Sequence, residues 1–279
     1  MERFTGKVAA ITGAGSGIGR ALAVELSREG AHLALSDVDD VGLAETVGRC
    51  EGHGVKITSQ HVDVADRAAV DAWADVVVED HGAVHLVVNN AGVAVVSTVE
   101  AVSYEDFHWL MDINFWGVVH GTKAFLPHLR EAGEGHIVNI SSVFGLLAIP
   151  SQSTYNAAKF GVRGFTDALR MELEIDGTGV SCTTIHPGGI KTNIARRARV
   201  DPSGAAYAGA GAGDALGDAF ERIAMTTPEK AARQILTAVR RNRRRALIGP
   251  DAKVFDLVSR LPAGVTQRVM VFGARRGRG

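Results

Sequence analysis

Lys7-Val8-Ala9-Ala10-Ile11-Thr12-Gly13-Ala14-Gly15-Ser16-Gly17-Ile18-Gly19 decides the fold of this 279-residue chain. Residues 7–12 read as a buried strand. A run alternating glycine with small residues follows, and an amphipathic stretch reads as a helix through residue 29. Glycine permits the tight turn and lets a ligand's phosphates reach the backbone. The helix N-terminus then offers free N–H groups and a partial positive charge to a pyrophosphate. A glycine run alone is a weak sign, but here a strand precedes it and a helix follows, inside a strand–helix–strand unit.

Working outward, further strands are predicted at 31–36, 56–62, 84–88, 136–140, 180–186 and 246–248. Helices are predicted at 39–51, 66–80 and 153–176, with two more between 103 and 132. This alternation, with nearly continuous apolar strands, predicts an α/β fold. Its form is a Rossmann-like, doubly wound, mostly seven-stranded parallel sheet with helices on both faces. No linker divides the chain, so residues 1–250 are read as a single dinucleotide-binding catalytic domain. Residues 200–217 are rich in Ala and Gly and have little hydrophobic drive. They read as a mobile segment, either a plain surface loop or part of a substrate lid over about 191–225. Residues 251–279 form an extension with a heavy apolar load, from Val254 to Phe272, interspersed with Arg260, Arg268 and Arg275. Packing on the core or on a partner subunit is the leading expectation. Covering the substrate cleft and peripheral contact with a membrane surface stay open beside it.

A net charge of -1 speaks against a general nucleic-acid or membrane binder. The arginine run 240–245 and the tail 275–278 are local exceptions, read as a solvated helix end and a frayed terminus. Two cysteines, Cys50 and Cys182, make neither a disulfide framework nor a metal cluster, so no metal is expected and the compartment is read as reducing. The first six residues do not resemble a signal peptide, and no apolar stretch is long enough for a membrane span. The expected location is cytoplasmic.

Ligands of open parallel sheets bind at the carboxyl ends of the strands. Asp37 ends the second strand, where a carboxylate can accept hydrogen bonds from both ribose hydroxyls of an adenosine and repel a 2'-phosphate. No Arg or Lys lies nearby in sequence, which argues for NAD over NADP. Asp39 suits the role of cap for the next helix better than Asp37 does. Asp63 follows the third strand, where capping the helix near Asp66 is its rival role. Asn89-Asn90-Ala91-Gly92 follows the fourth and marks a backbone that turns sharply.

Tyr155 and Lys159 are four residues apart, on one face of the predicted 153–176 helix. An ordinary Tyr, with a pKa of roughly 10, is a poor base near neutral pH. A neighbouring ammonium favours the phenolate and makes a general acid/base available. Taken alone the spacing is common.

Four patterns together are specific. They are TGxxxGxG at 12–19, NNAG at 89–92, the set Ser142/Tyr155/Lys159, and Pro187-Gly188. In order and spacing, over about residues 6–245, they resemble the compact, single-domain branch of the short-chain dehydrogenase/reductase family. The resemblance implies Tyr155 as the general acid/base and Lys159 as the group that lowers its pKa and binds the nicotinamide ribose. It implies that Ser142 holds the substrate oxygen and Asn114 positions a water between Lys159 and solvent. Ser141 rivals Ser142, and the thirteen-residue offset to Tyr155 favours Ser142. The implied cofactor site is Gly13, Ser16, Gly17, Ile18 and Gly19 at the phosphates, Asp37 at the ribose, and Asp63 and Val64 at the adenine. Asn90, Ala91 and Gly92 line it, and Pro187, Gly188, Ile190 and Thr192 wrap the nicotinamide.

Phe144 and Gln152 join Ser142 and Tyr155 as expected substrate neighbours. The cleft is mostly apolar unless Arg196, Arg197 or Arg199 turns inward. The leading expectation is therefore an NAD-dependent oxidoreductase that interconverts an uncharged, hydrophobic secondary alcohol and its ketone. An NADPH-dependent carbonyl reductase of the ketoacyl type is the second reading, and a non-catalytic NAD-binding regulatory protein is the third. The family implies a homotetramer or homodimer with the long 153–176 helix at an interface.

Overall fold

A computed structural model of the chain describes residues 1–208 and 214–276. In chain order the elements are β1 (Val8–Thr12), α1 (Gly17–Arg28), β2 (His32–Asp37), α2 (Asp40–Cys50), β3 (Ile57–His61), α3 (Arg67–His81), β4 (Leu86–Asn89) and β5 (Val95–Val96). Then come α4 (Tyr104–Met111), a π-helical turn at Asp112–Trp116, α5 (Gly117–Glu131), β6 (Gly135–Ile140), a 3₁₀ turn at Val143–Gly145, α6 (Ser153–Asp176) and β7 (Val180–Pro187). The chain ends through β8 (Arg199–Val200), α7 (Pro202–Ala208), α8 (Asp214–Ile223), α9 (Pro228–Arg240), β9 (Arg245–Ile248), α10 (Pro250–Ser259) and α11 (Ala263–Arg276).

Seven strands form one sheet in the order β3-β2-β1-β4-β6-β7-β9, every pair parallel. This is the expected doubly wound architecture. The central strands are buried on both faces, so they lack the in/out alternation of a half-exposed sheet. On one face Leu22 and Leu26 of α1 pack with Ile235, Leu236 and Val239 of α9. On the other, Val70, Trp73 and Val77 of α3 pack with Phe125 and Leu129 of α5. Trp73 and Phe125 meet edge-to-face with ring centroids 5.1 Å apart, a preferred aromatic geometry.

Local signals place the helix starts. The Asp39 carboxylate accepts from Gly42 N at 3.0 Å and caps α2. Asp66 caps α3 through Ala68 and Ala69, so Asp63 does not. Asp63 closes a tight turn instead, its carboxylate accepting from Ala65 N at 2.9 Å. The sheet also contains a polar ladder. Asn89 donates to Thr122 Oγ1 and to Asn139 Oδ1, at 3.1 and 2.8 Å, and Asn139 donates to Thr166 Oγ1 at 3.0 Å. All four side chains are buried.

Two expectations need correction. The segment read as lacking hydrophobic drive contains β8, α7 and α8. The pair β5–β8 forms a second, two-stranded parallel sheet that no sequence period announced. Val96 O sits against Gly204, so a side chain there would collide with the backbone. Gly209, Gly211 and Gly213 lie outside the described residues. The second correction concerns the arginines after α9, which are not merely solvated. Arg240 pairs with Glu29 of α1, Arg244 with Glu174 of α6 at 2.7 Å, and Arg245 with buried Asp256 of α10 at 3.0 Å.

His136 is buried in the centre of β6 and shares a hydrogen bond with Thr183 Oγ1 at 2.8 Å. Burial, with help from the chain's N-terminal cation and Arg170, pushes its pKa down to about 3. The folded chain therefore keeps this ring neutral where the unfolded chain takes up a proton. Its stability contribution is complete above pH ~6.5 and shrinks as pH falls toward about 3. We expect the melting temperature to drop between pH 6.5 and 4. Replacing His136→Asn should flatten that slope even if it lowers stability at pH 7, and an unchanged slope would refute the assignment.

Candidate active site

The turn between β1 and α1 is built around groups that leave no room for side chains. Gly13 has φ +64°, and a Cβ there would fall 2.8 Å from Ala91 Cα. A Cβ at Gly19 would meet Gly13 O at 2.2 Å and Asn90 Nδ2 at 2.6 Å. Asn90 explains the crowding. Its amide donates to Thr12 O and Gly13 O at 2.9 and 3.0 Å, and its backbone N–H donates to Thr12 Oγ1 at 3.0 Å. Ala91 N reaches the same hydroxyl at 3.1 Å. The NNAG segment thus braces the glycine turn from the β4 side.

Asp37 braces it from the β2 side. One carboxylate oxygen accepts from Gly15 N at 2.7 Å and the other from Asp39 N at 3.0 Å. Arg20, on the first turn of α1, donates to Gly15 O, to Gly42 O and to Thr46 Oγ1, tying the turn to α2. Ser16 stands at the N-cap position of α1 without a side-chain cap bond, and Gly17 opens the helix at φ +53°. A Cβ at Gly17 would lie 3.1 Å from Thr192 Cγ2, so the strand-end segment after β7 passes close to the turn. The N–H groups of α1 and the glycine-lined turn fit an anionic dinucleotide bridge. Asp63 is exposed and Val64 is buried at the edge of this region, where Val64 O bonds His120 Nδ1 at 3.1 Å.

One feature after β2 was not readable from neighbouring sequence. Arg197 Nη2 lies 3.1 Å from Asp39 Oδ2, so a cation does stand beside the acidic end of this strand, delivered from the segment after β7. Arg196 pairs with Asp218 and Glu221, and Arg199 pairs with Asp106 at 2.7 Å while stacking over the Trp109 ring at 3.7 Å. All three arginines that were candidates for turning inward are held by carboxylates.

The other end of the site is built on β6, α6 and the 3₁₀ turn. Ser141 and Ser142 have separate jobs. Ser141 donates to Lys159 O at 2.8 Å and is committed to the α6 backbone. Ser142 caps the 3₁₀ turn, accepting from Phe144 N at 3.1 Å, and also hydrogen-bonds the Tyr155 hydroxyl. Phe144 meets the Tyr155 ring edge-on at 6.0 Å. Gln152 occupies the N-cap position of α6 and bridges to Ser97 through the backbone. Lys159 is buried, donates to Ile140 O at 2.9 Å and places Nζ 5.5 Å from the Tyr155 ring centroid.

The electrostatics depart from expectation. Burial pushes the Tyr155 phenol up to about 12, with the Ser142 hydrogen bond pulling the other way. Burial pushes Lys159 down to about 8. Desolvation is the leading cause for both, so both groups resist being charged. At pH 7 the tyrosine is a phenol.

Asn114 sits in the π-helical turn, and both ends of its amide are engaged. Oδ1 accepts from Val93 N and Nδ2 donates to Val93 O, each at 2.8 Å. The side chain therefore holds the chain after NNAG.

Two further residues support the site. His186, just before Pro187, donates from Nδ1 to Ser142 O at 2.8 Å, and burial pushes its pKa down to about 4. Asp251 of α10 accepts from Gly189 N at 2.6 Å, while Thr226 N donates to Gly189 O at 3.3 Å. A Cβ at Gly188 would fall 2.2 Å from the Asp251 carboxylate. Pro187, Gly188 and buried Ile190 are thus fixed from the C-terminal side of the chain. Pro250 opens α10 at its first position, and only the fold brings the Asp251 carboxylate to Gly189 N.

Residues 7–203 match the family model described as short chain dehydrogenase. The Mycobacterium tuberculosis protein SadH, named for an inferred oxidoreductase activity, is 49% identical over 99% of this chain and 98% of its own. The cyclohexanol dehydrogenase of an Acinetobacter species is 36% identical over 69% of this chain and 76% of its own. A Burkholderia phymatum short-chain dehydrogenase/reductase, solved in complex with NAD, superposes with a TM-score of 0.85 at 34% identity, covering 92% of this chain and 94% of that one.

Replacing Asn114→Ala would strand the N–H and C=O of Val93. Val93 is half-buried, so water answers part of that loss, and each hydrogen bond is worth about 0.5–1.5 kcal/mol net. Denaturant unfolding should register a loss of about 1–2 kcal/mol, and a loss below ~0.5 kcal/mol would remove this role from the residue.

Proposed function

The chain belongs to the short-chain dehydrogenase/reductase family, and from that premise we propose that it is an NAD-dependent dehydrogenase of uncharged, hydrophobic secondary alcohols. The chain is an oxidoreductase by family. The finer reading is carried by one observation: Ser142 and Lys159 converge on Tyr155, the serine hydroxyl bonding the phenol and Lys159 Nζ lying 5.5 Å from its ring centroid.

The residues present fit a nicotinamide dinucleotide. A Cβ-free cradle at Gly13, Gly17 and Gly19 meets the helix N-terminus, and Asp37 stands at the ribose end. When bound, the cofactor accepts or gives the hydride and adds positive charge on its oxidised side. Every proton step falls to the protein. In the oxidising direction the Tyr155 oxygen takes the proton from the substrate hydroxyl as the C–O bond becomes a carbonyl. In the reducing direction the phenol gives that proton back. Ser142 Oγ holds the substrate oxygen beside the phenol. Lys159 supplies a cation behind the ring and a ribose hydrogen bond. Because burial alone raises the phenol to about 12, the base form depends on charge brought in from outside the pair.

The mostly apolar wall with Phe144, together with three arginines already paired, supports an uncharged substrate. Residues 191–225 are assigned the role of lid, because they connect the cofactor turn at Thr192 to the β5–β8 sheet. Exposed Phe160, Met171 and Ile175 on α6 support association with a second copy through that helix. One observation favours the NADP reading. Arg197 stands at the adenosine end, where a freed guanidinium would welcome a 2'-phosphate. Affinities for NAD and NADP measured in parallel separate the two.

The deciding test is Tyr155→Phe. Positioned proton transfer is typically worth about 10²- to 10⁴-fold, so turnover on a panel of apolar secondary alcohols should fall by at least ~100-fold. NAD affinity should stay within a few-fold of the parent. Retention of more than about a tenth of the rate would sink the reading.

A further inference from the structure

The last two helices present a surface that neither the sheet nor the active site uses. On α10 the exposed apolar residues Val254 and Leu257 recur at helical spacing, Leu257 being 69% exposed, and exposed Leu261 follows just past the helix end. Lys253 and Arg260 run along one edge of that stripe. On α11 the pattern repeats, with Val265, Val269 and Phe272 on one face and Arg268 and Arg275 along an edge. The inward side is separate: Thr266 is 5% exposed, and Asp256 is buried in ion pairs with Arg245 and Arg260.

Charge is sharply partitioned. Residues 257–279 contain five arginines and neither Asp nor Glu, while the whole chain carries a net -1. The preceding 256 residues therefore carry a net -6. We propose that this helical hairpin docks on an anionic lipid surface, its apolar stripes entering the headgroup boundary and its arginines meeting the phosphates. Long basic side chains flanking an apolar stripe can extend their charged heads toward headgroups while their stems stay in the apolar layer. The acidic remainder of the molecule would be held away from the same surface, which sets an orientation.

A second copy is the rival occupant. A two-fold contact through this face would bring the same arginine-rich patch against itself. Such an interface gathers like charges, since Asp251 and Asp256 face inward and Asp256 is already shared between Arg245 and Arg260, whereas a lipid surface supplies the opposite charge over its whole area. α10 also reaches the active site from its other side, through Asp251 on Gly189 N. Docking would therefore bring the cleft close to the bilayer. The proposal needs no particular substrate and is tested without one.

The test is flotation of the full chain with phosphatidylcholine vesicles, with and without phosphatidylglycerol. The chain should float with the anionic vesicles alone, and high salt should release it. The double variant Arg268→Glu/Arg275→Glu should lose roughly 10-fold or more of the binding, and Leu257→Asp should lose a comparable amount. Both variants alter exposed positions, so thermal melting and cofactor affinity should match the parent. Absence of flotation with anionic vesicles overturns the proposal. So does a drop in oligomer size in Leu257→Asp by light scattering, which would assign the face to a second copy.

Discussion

A single side-chain amide holds the ligand end of this sheet together. Asn90 lies under the turn between β1 and α1, its two N–H groups spent on Thr12 O and Gly13 O. Two carbonyls that a tight turn would otherwise leave bare are thereby satisfied. The arrangement works only because Gly13 and Gly19 lack a Cβ where the amide and Ala91 approach. From it follow the open N-terminus of α1 and the position of β4 beside β1. The level at which the other strand ends assemble follows too. Asp37 then closes the turn from the opposite side, so the loop is clamped between the second and fourth strands and is not a floppy hinge.

The fold was largely legible because a doubly wound sheet repeats one signal: a short apolar strand, then a helix with its cap. Asp39, Asp66, Ser103 and Thr227 are local instructions, each read by backbone N–H groups within three residues. The glycine turn, Ser142, Tyr155 and Lys159 were legible for the same reason, since each sits at a strand end or on one helix face. What escaped was whatever depends on long-range approach. The β5–β8 pair has two residues per strand, too few to show a period. Arg197 meets Asp39 across 158 positions of sequence, and Asp251 meets Gly189 across 62. The direction of the Tyr155 shift also escaped, because burial depends on everything packed around a residue and spacing reports only the partner.

Two buried histidines are held neutral. His136 and His186 remain uncharged rings, each with a hydrogen bond to a neighbouring strand or turn. Lys159 carries chemistry: a buried amine that donates to the carbonyl of Ile140 and faces the Tyr155 ring. A desolvated cation with little to answer it is costly to the fold, and such groups concentrate where reactions need a field.

The amide ladder in the middle of the sheet has a consequence for assembly. Asn89 and Asn139 are register partners on β4 and β6. The apolar residues around them, Val87, Val88, Ile137 and Val138, are interchangeable in kind. Greasy strands of that sort slide past one another with little to choose between alignments. Shifting one strand by a residue would swing an amide out of reach of its mate and leave it dry and unbonded. The ladder therefore works as a proofreading key. It favours the one alignment in which both amides reach their partners, and with it strand ends that finish level with one another.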